Sequence, residues 1–286
     1  MKKLLIFGVG LIGGSVALKA REKKLFEEIV GVPRDGGTNL NYLVENNVLD
    51  YISSNVPEDI STADMILVAT PVAQIGSILK NIYPNLSKDT IITDVGSTKL
   101  NVLKDAKLSL KNKYNQFIGS HPIAGSEKNG AKAAQLDLFK NKNIVITEDI
   151  LSTPDSLKKL TEFWQSLGGI ISKMTAEEHD QIFSTISHLP HLLAFNLVNL
   201  INNKKNKEVL LNFAASGFRD FSRIAASSPE MWRDICLANK ESILNDLSLF
   251  QNEINELKSI LELNDQDKLE KYLKHASTTR KNWSEQ

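Results

Sequence analysis

The 286-residue chain carries 34 Lys plus Arg against 34 Asp plus Glu, so its formal net charge is zero. No net field then favours nucleic acid or an anionic membrane, and the length suits one large domain or two of ordinary size. The single cysteine, Cys236, rules out an internal disulfide; within Ile235-Cys236-Leu237-Ala238 it reads as a buried, inert thiol.

Met1-Lys2-Lys3 leads straight into an apolar strand pattern, Lys3–Phe7, and then a glycine turn, too early for a secretory leader. No apolar run is long enough to span a bilayer, so a soluble, cytoplasmic protein is expected. Gly8-Val9-Gly10-Leu11-Ile12-Gly13 follows the strand and opens a helical stretch at 15–20. Strand, glycines and helix in that order are the context a dinucleotide fingerprint requires. Gly8 allows the tight turn, Gly10 lets the backbone approach a pyrophosphate and Gly13 brings helix and strand together. The next strand ends in Pro33-Arg34-Asp35 instead of the acid that holds a ribose 2′-hydroxyl. Arg34 tilts the cofactor toward NADP, and Asp35 keeps NAD open.

Further strand patterns lie at 63–70, capped by Pro71-Val72, at 90–99, at 116–119 and at 143–147, with helical stretches such as 75–82 and 100–106 between them. Strands alternating with helices imply a doubly wound, Rossmann-type parallel sheet. Ser97 and His121 would both emerge at carboxyl ends of its strands, on the cofactor's side. His121 stands in a small-residue stretch, Gly119 to Gly130, that lets a ligand come close.

From about Thr175 the pattern is helical. Residues 176–202 read as one long helix with Ile182, Ile186, Leu189, Leu193 and Leu197 on its apolar face and a bend at Pro190. The expected division is 1–170 for the dinucleotide-binding domain and 171–286 for an all-α substrate-binding and dimerisation domain, whose surplus apolar faces suit a homodimer. His188 and His191 lie one helical turn apart, with His179-Asp180 upstream; zinc, a core role and substrate binding are the open readings, and no nearby set completes a metal site.

Six stretches together resemble the prephenate/arogenate dehydrogenase family of tyrosine biosynthesis, in its cyclohexadienyl dehydrogenase branch. They are 8–15, Asp94-Val95-Gly96-Ser97-Thr98-Lys99, His121-Pro122-Ile123-Ala124-Gly125-Ser126-Glu127, Ser187-His188-Leu189-Pro190-His191, 216–223 and Met231-Trp232-Arg233-Asp234. The resemblance implies NAD(P)-dependent oxidative decarboxylation of prephenate, and of arogenate as a second substrate. It implies a catalytic pair, His121 and Ser97, and a substrate pocket of His191, Arg223, Ser126, Glu127 and Trp232. Gly8, Gly10, Leu11, Ile12, Gly13, Arg34, Thr70, Pro71 and Ser97 would bind the cofactor, with no metal. Ser126 departs from the family's usual threonine but keeps the hydroxyl. No appended regulatory domain is expected after the helical half, so that any inhibition by tyrosine would be at the active site. Rival readings are an arogenate-specific enzyme, a metal phosphohydrolase and a dinucleotide-binding protein without catalysis.

Overall fold

Among the described residues, eight short runs pair into one sheet: β1 (Lys3–Phe7), β2 (Glu28–Val32), β3 (Tyr51–Ile52), β4 (Met65–Val68), β5 (Ile91–Asp94), β6 (Phe117–Pro122), β7 (Asn143–Thr147) and β8 (Ile170–Met174). The computed structural model describes residues 1–33, 40–125, 130–147, 149 and 151–284. The strand order is β3-β2-β1-β4-β5-β6-β7-β8. Chain direction across the sheet therefore switches between β1 and β4, which opens a crevice at their carboxyl ends. β1 and β4 are near-continuous apolar runs because both faces are covered, and β5 is buried throughout although it ends in Thr93-Asp94. Leu4, Ile6, Met65 and Leu67 enter one core, and Leu5, Ile66, Val68 and Ile92 the other.

The sheet is parallel except that β6 and β7 run antiparallel, from Gly119 opposite Thr147 to Pro122 opposite Ile144. The doubly wound, mostly parallel sheet expected from the sequence is thus present, with one antiparallel pair that the sequence reading did not include. Gly119 permits the pairing, since a Cβ there would lie 2.4 Å from Thr147 Oγ1. β8 was hidden in the sequence because it is an edge strand with Ile170 half exposed and Lys173 beside it, so its alternation is weak.

Helices α1 (Leu11–Glu22), α2 (Asn41–Glu45), α3 (Val56–Thr62), α4 (Val72–Ile82), α5 (Leu100–Leu110) and α6 (Pro154–Ser166) connect the strands. α7 (Ala176–Phe183) then starts on a reciprocal cap: Thr175 Oγ1 accepts the Glu178 N–H at 3.1 Å, and the Thr175 N–H donates to Glu178 Oε2 at 2.8 Å. A π turn, Ser184–His188, joins α7 to α8 (Leu189–Asn202). The extra residue in that turn accommodates Pro190, which cannot donate to the preceding turn and stands in the first turn of α8.

The inward face of this helical run differs from the expected one. Ile182 and Ile186 are exposed, whereas His179, Asp180, Ser184 and His188 are buried. His179, Asp180 and His188 take the inside because they have partners there, described below, whereas the buried Ser184 hydroxyl has none among the described residues. The chain continues through α9 (Lys207–Asn212), α10 (Ser216–Ser222) and α11 (Pro229–Ala238), where Trp232 and Ile235 join the core lined by α4.

Residues Met1–Lys240 form one compact unit and Glu241–Gln286 another. The second unit is made of α12 (Lys240–Glu262) and α13 (Gln266–Ser284), tied by a Tyr272 hydroxyl donating to Glu253 Oε2 at 3.1 Å. Leu244, Leu249, Ile254, Leu261, Leu263 and Leu273 are each more than half exposed on these helices in the single chain. Among the described residues, no helix is long and apolar enough to cross a membrane.

Candidate active site

The glycine turn after β1 is built for close approach. Gly8 has φ +87°, and a Cβ there would sit 2.6 Å from the Ala69 carbonyl oxygen; one at Gly13 would sit 2.3 Å from the Gly8 carbonyl oxygen. Gly10 differs: it caps α1, and nothing lies within 4 Å of where its Cβ would be. The unpaired N–H groups of the first turn of α1 thus face open space beside Leu11 and Ile12. These residues, with Thr70, Pro71, Gly96 and Ser97, border a chamber of about 500 Å³. Thr70 Oγ1 is buried there with no hydrogen-bond partner among the described residues. An open helix N-terminus, a glycine cradle and a spare hydroxyl fit a dinucleotide's phosphates and ribose. Arg34, Ser126 and Glu127 lie outside the described residues.

His121 is placed by the strand switch. β6 pairs with β5 only at Phe117 and Ile118 and then turns to β7, which carries the half-buried imidazole to the mouth of the crevice. Beneath it, Asp94 at the end of β5 pairs with the fully buried Lys99 and accepts the Gly96 N–H at 2.7 Å and the Ser120 N–H at 3.2 Å. Burial pushes the Lys99 amine down, with Asp94 opposing the shift. Ser97 stands in the loop between Asp94 and α5, on the same chamber as His121.

Behind His121 stands α7. His121 Nδ1 lies 2.8 Å from His179 Nε2, and His179 Nδ1 lies 2.7 Å from Asp180 Oδ1. Asp180 also accepts the backbone N–H of Lys99 at 2.7 Å and of Leu100 at 3.0 Å, capping α5 from another helix. Phe183 packs against both rings, 5.0 Å from His121 and 4.5 Å from His179. Burial pushes both imidazoles below the ordinary value, His121 well below it, so both are neutral at pH 7.

A second chamber, about 490 Å³, opens on the other side of His121. Its walls include His191, Arg223, Met231 and Trp232. His191 stacks on Trp232 with centroids 4.0 Å apart, and its Nδ1–H donates to the Ser187 carbonyl at 2.9 Å. Burial lowers the His191 pKa, and the nearby Arg223 guanidinium lowers it further. Trp232 Nε1 is buried without a partner among the described residues.

His188 parts company with His191. It is buried, accepts from Asn239 Nδ2 at 3.2 Å on Nδ1, and bonds the Ser97 backbone with its other nitrogen. It therefore supports the Ser97 loop from behind. Among the described residues, no three His, Cys, Asp or Glu side chains gather as ligands. Cys236 is half-buried, a little more open than expected, and burial pushes its thiol pKa up.

His121 thus lines both a chamber bordered by the glycine turn and a chamber containing an arginine. The family model for the nucleotide-binding domain of prephenate dehydrogenase matches residues 16–173, and that for its dimerisation domain matches 175–275. The chain belongs to the prephenate dehydrogenase family. It is similar to the cyclohexadienyl dehydrogenase of Zymomonas mobilis, at 33% identity over 98% of this chain and 95% of the relative. Among solved structures it resembles the prephenate dehydrogenase of Aquifex aeolicus in complex with hydroxyphenyl propionate and NAD+, at 32% identity, TM-score 0.91, and 99% and 98% of the two chains. The Synechocystis arogenate dehydrogenase aligns at 28% identity, TM-score 0.82, over 98% and 99%. As a family member the chain is an NAD(P)-dependent oxidoreductase. The nucleotide-binding match begins at residue 16, so the glycine turn stands on its own geometry.

Sequence reading missed the part played by His179 and Asp180, which were weighed only as metal ligands. The available signal was spacing: His179, Phe183, Ser187 and His191 recur every four residues, a period longer than the 3.6 of a regular α-helix, with a π turn in between.

Proposed function

We propose that this chain oxidises prephenate to 4-hydroxyphenylpyruvate and CO₂ with NAD(P)+, and accepts arogenate as a second substrate. The observation that supports this most is that His121 lines both chambers, so one imidazole faces a bound nicotinamide and a bound ring together. When bound, the nicotinamide supplies the hydride acceptor. His121 takes the proton of the ring hydroxyl as the carbinol hydrogen leaves as hydride. The bond to the ring carboxylate breaks, its electron pair enters the ring and CO₂ departs. The aromatic oxygen recovers its proton from His121, which returns the base to its starting state.

In this reading Ser97 bridges the hydroxyl, His121 and the cofactor's edge of the site. Arg223 grips a substrate carboxylate, for which a planar two-pronged donor suits better than an ammonium. His191 and Trp232 wall the ring, and Ser126 and Glu127 complete the set of substrate-binding residues. Gly8, Gly10, Leu11, Ile12, Gly13, Thr70 and Pro71 hold the dinucleotide, and Arg34 favours the 2′-phosphate of NADP. Residues 1–170 serve the cofactor and 171–286 the substrate and a homodimer, in the cytoplasm.

Prephenate mixed with the protein and NAD+ or NADP+ should yield reduced nicotinamide and CO₂ in equal amounts; no turnover with either cofactor overturns the assignment. His121→Asn should lower kcat about a hundredfold or more while cofactor affinity stays. For substrate preference, kcat/KM is compared between prephenate and arogenate; robust arogenate turnover beside negligible prephenate turnover rejects the prephenate reading. Arg34→Asp should weaken NADP+ more than NAD+, and unchanged NADP+ affinity removes Arg34 from the 2′-phosphate site.

A further inference from the structure

We infer that His179 and Asp180 are positioning residues that select which nitrogen of His121 acts on the substrate. The inference rests on the reading of His121 as the base, and it follows from hydrogen-bond bookkeeping along a line of three side chains. Asp180 accepts two backbone N–H groups at the start of α5 and presents Oδ1 to His179 Nδ1 at 2.7 Å. A carboxylate already holding two donors there acts as an acceptor, so His179 carries its proton on Nδ1. The neutral His179 ring then offers a lone pair on Nε2. His121 Nδ1, 2.8 Å away, must be the donor in that contact. His121 Nε2 is left unprotonated, and this is the nitrogen able to accept a hydroxyl proton.

The three groups are held rigidly enough to enforce the choice. His179 and Asp180 are fully buried and Phe183 packs against both imidazoles, so neither ring has room to turn over. Asp180 is anchored on its far side by Asn239, which donates to the Asp180 carbonyl at 2.7 Å. After proton transfer, the imidazolium of His121 would keep Nδ1–H directed at the His179 lone pair, with the Asp180 carboxylate one ring behind. Lys99, and His188 on the π turn, also lie near enough to disfavour a charge on His121, and His191 and Arg223 share the chamber with it, while its Nδ1 is the atom that meets His179 Nε2.

Two variants that differ by one methylene separate positioning from packing. His179→Gln places an amide oxygen near the position of Nε2 and keeps an acceptor for His121. His179→Asn keeps the donor toward Asp180 but is too short to reach His121. His179→Asn should lower kcat about tenfold to a hundredfold with KM and cofactor affinity within about twofold, and His179→Gln should recover most of that loss. In protein labelled with ¹⁵N-histidine, His121 should be protonated on Nδ1 in the wild type and His179→Gln, and on Nε2 in His179→Asn. The inference is overturned by normal kcat in His179→Asn, by equal impairment in both variants, or by Nε2-protonated His121 in the wild type. The tautomer signal is read without substrate, so a wild type inactive on prephenate would reject the proposed reaction and leave this test intact.

Discussion

As the proposed base, His121 would act only while neutral, so the direction of its pKa shift has a kinetic consequence. Burial and the surrounding His179, Lys99 and His188 hold it well below 6.5. Activity requiring its neutral form should persist as pH falls through the ordinary imidazole range. A kcat/KM profile flat from pH 8 to below 6.5 is expected, and an acid limb at or above about 6.5 would contradict the buried setting of this ring. Arg223 gives a second test at this scale. Arg223→Lys keeps the charge but loses the fork, and should raise KM for prephenate about tenfold with kcat less affected.

His188 carries a stability prediction. Burial depresses its folded pKa from 6.5 to about 4, against an ordinary value when unfolded. Between those values the unfolded chain binds a proton that the folded chain refuses, so stability falls as pH drops from 6.5 toward 4. The loss is on the order of 3 kcal/mol by linkage. A proton on Nδ1 would meet the Asn239 amide donor, which explains the refusal. Denaturant unfolding at pH 7 and pH 4.5 should show a smaller acid loss in His188→Gln than in the wild type, and equal losses would move the effect elsewhere.

Among the elements, the turn from β1 into α1 is the most constrained. Gly13→Ala would drive a Cβ against the Gly8 carbonyl oxygen, 2.3 Å away, with no flexible side chain to yield. The change should destabilise the fold by ~2 kcal/mol or more and weaken NAD(P)+ at least tenfold, measured by thermal unfolding and by titration. The π turn at Ser184–His188 has a different role. It absorbs Pro190 and sets the rotation of His191, which lines a chamber with His121, relative to His179, whose Nε2 meets His121 Nδ1. A regular helix through this segment would rotate one against the other by roughly 100°.

For the whole molecule, the issue is exposed apolar surface. Leu244, Leu249, Ile254, Leu261, Leu263 and Leu273 in the α12–α13 unit stand more than half exposed, and Phe213 after α9 is 85% exposed. A lone soluble chain seldom leaves so many large apolar side chains in water, and the dimerisation-domain match covers this stretch up to residue 275. The protein should sediment as a dimer. Leu249→Glu with Leu261→Glu should shift it toward monomer, and an unchanged dimer would place the interface on other helices.

The sheet-forming runs, the glycine turn and the helical second half could be read from residues alone, because each depends on neighbours within a few positions. Short apolar runs and a positive-φ glycine between strand and helix are local facts. The positions of Ser97 and His121 at strand ends were legible for the same reason. The antiparallel turn of β6 onto β7 was not, since it is decided by how closely Gly119 and Thr147 approach. Nor was the inward face of α7, where burial went to His179 and Asp180 in place of Ile182. An apolar pattern assumes that buried polar groups lack partners, and here the partners come from Lys99, Leu100 and His121, up to 81 residues away. Only packing across that separation could make a buried histidine and aspartate cheaper to hide than an isoleucine, and so set the chemistry of His121 from behind.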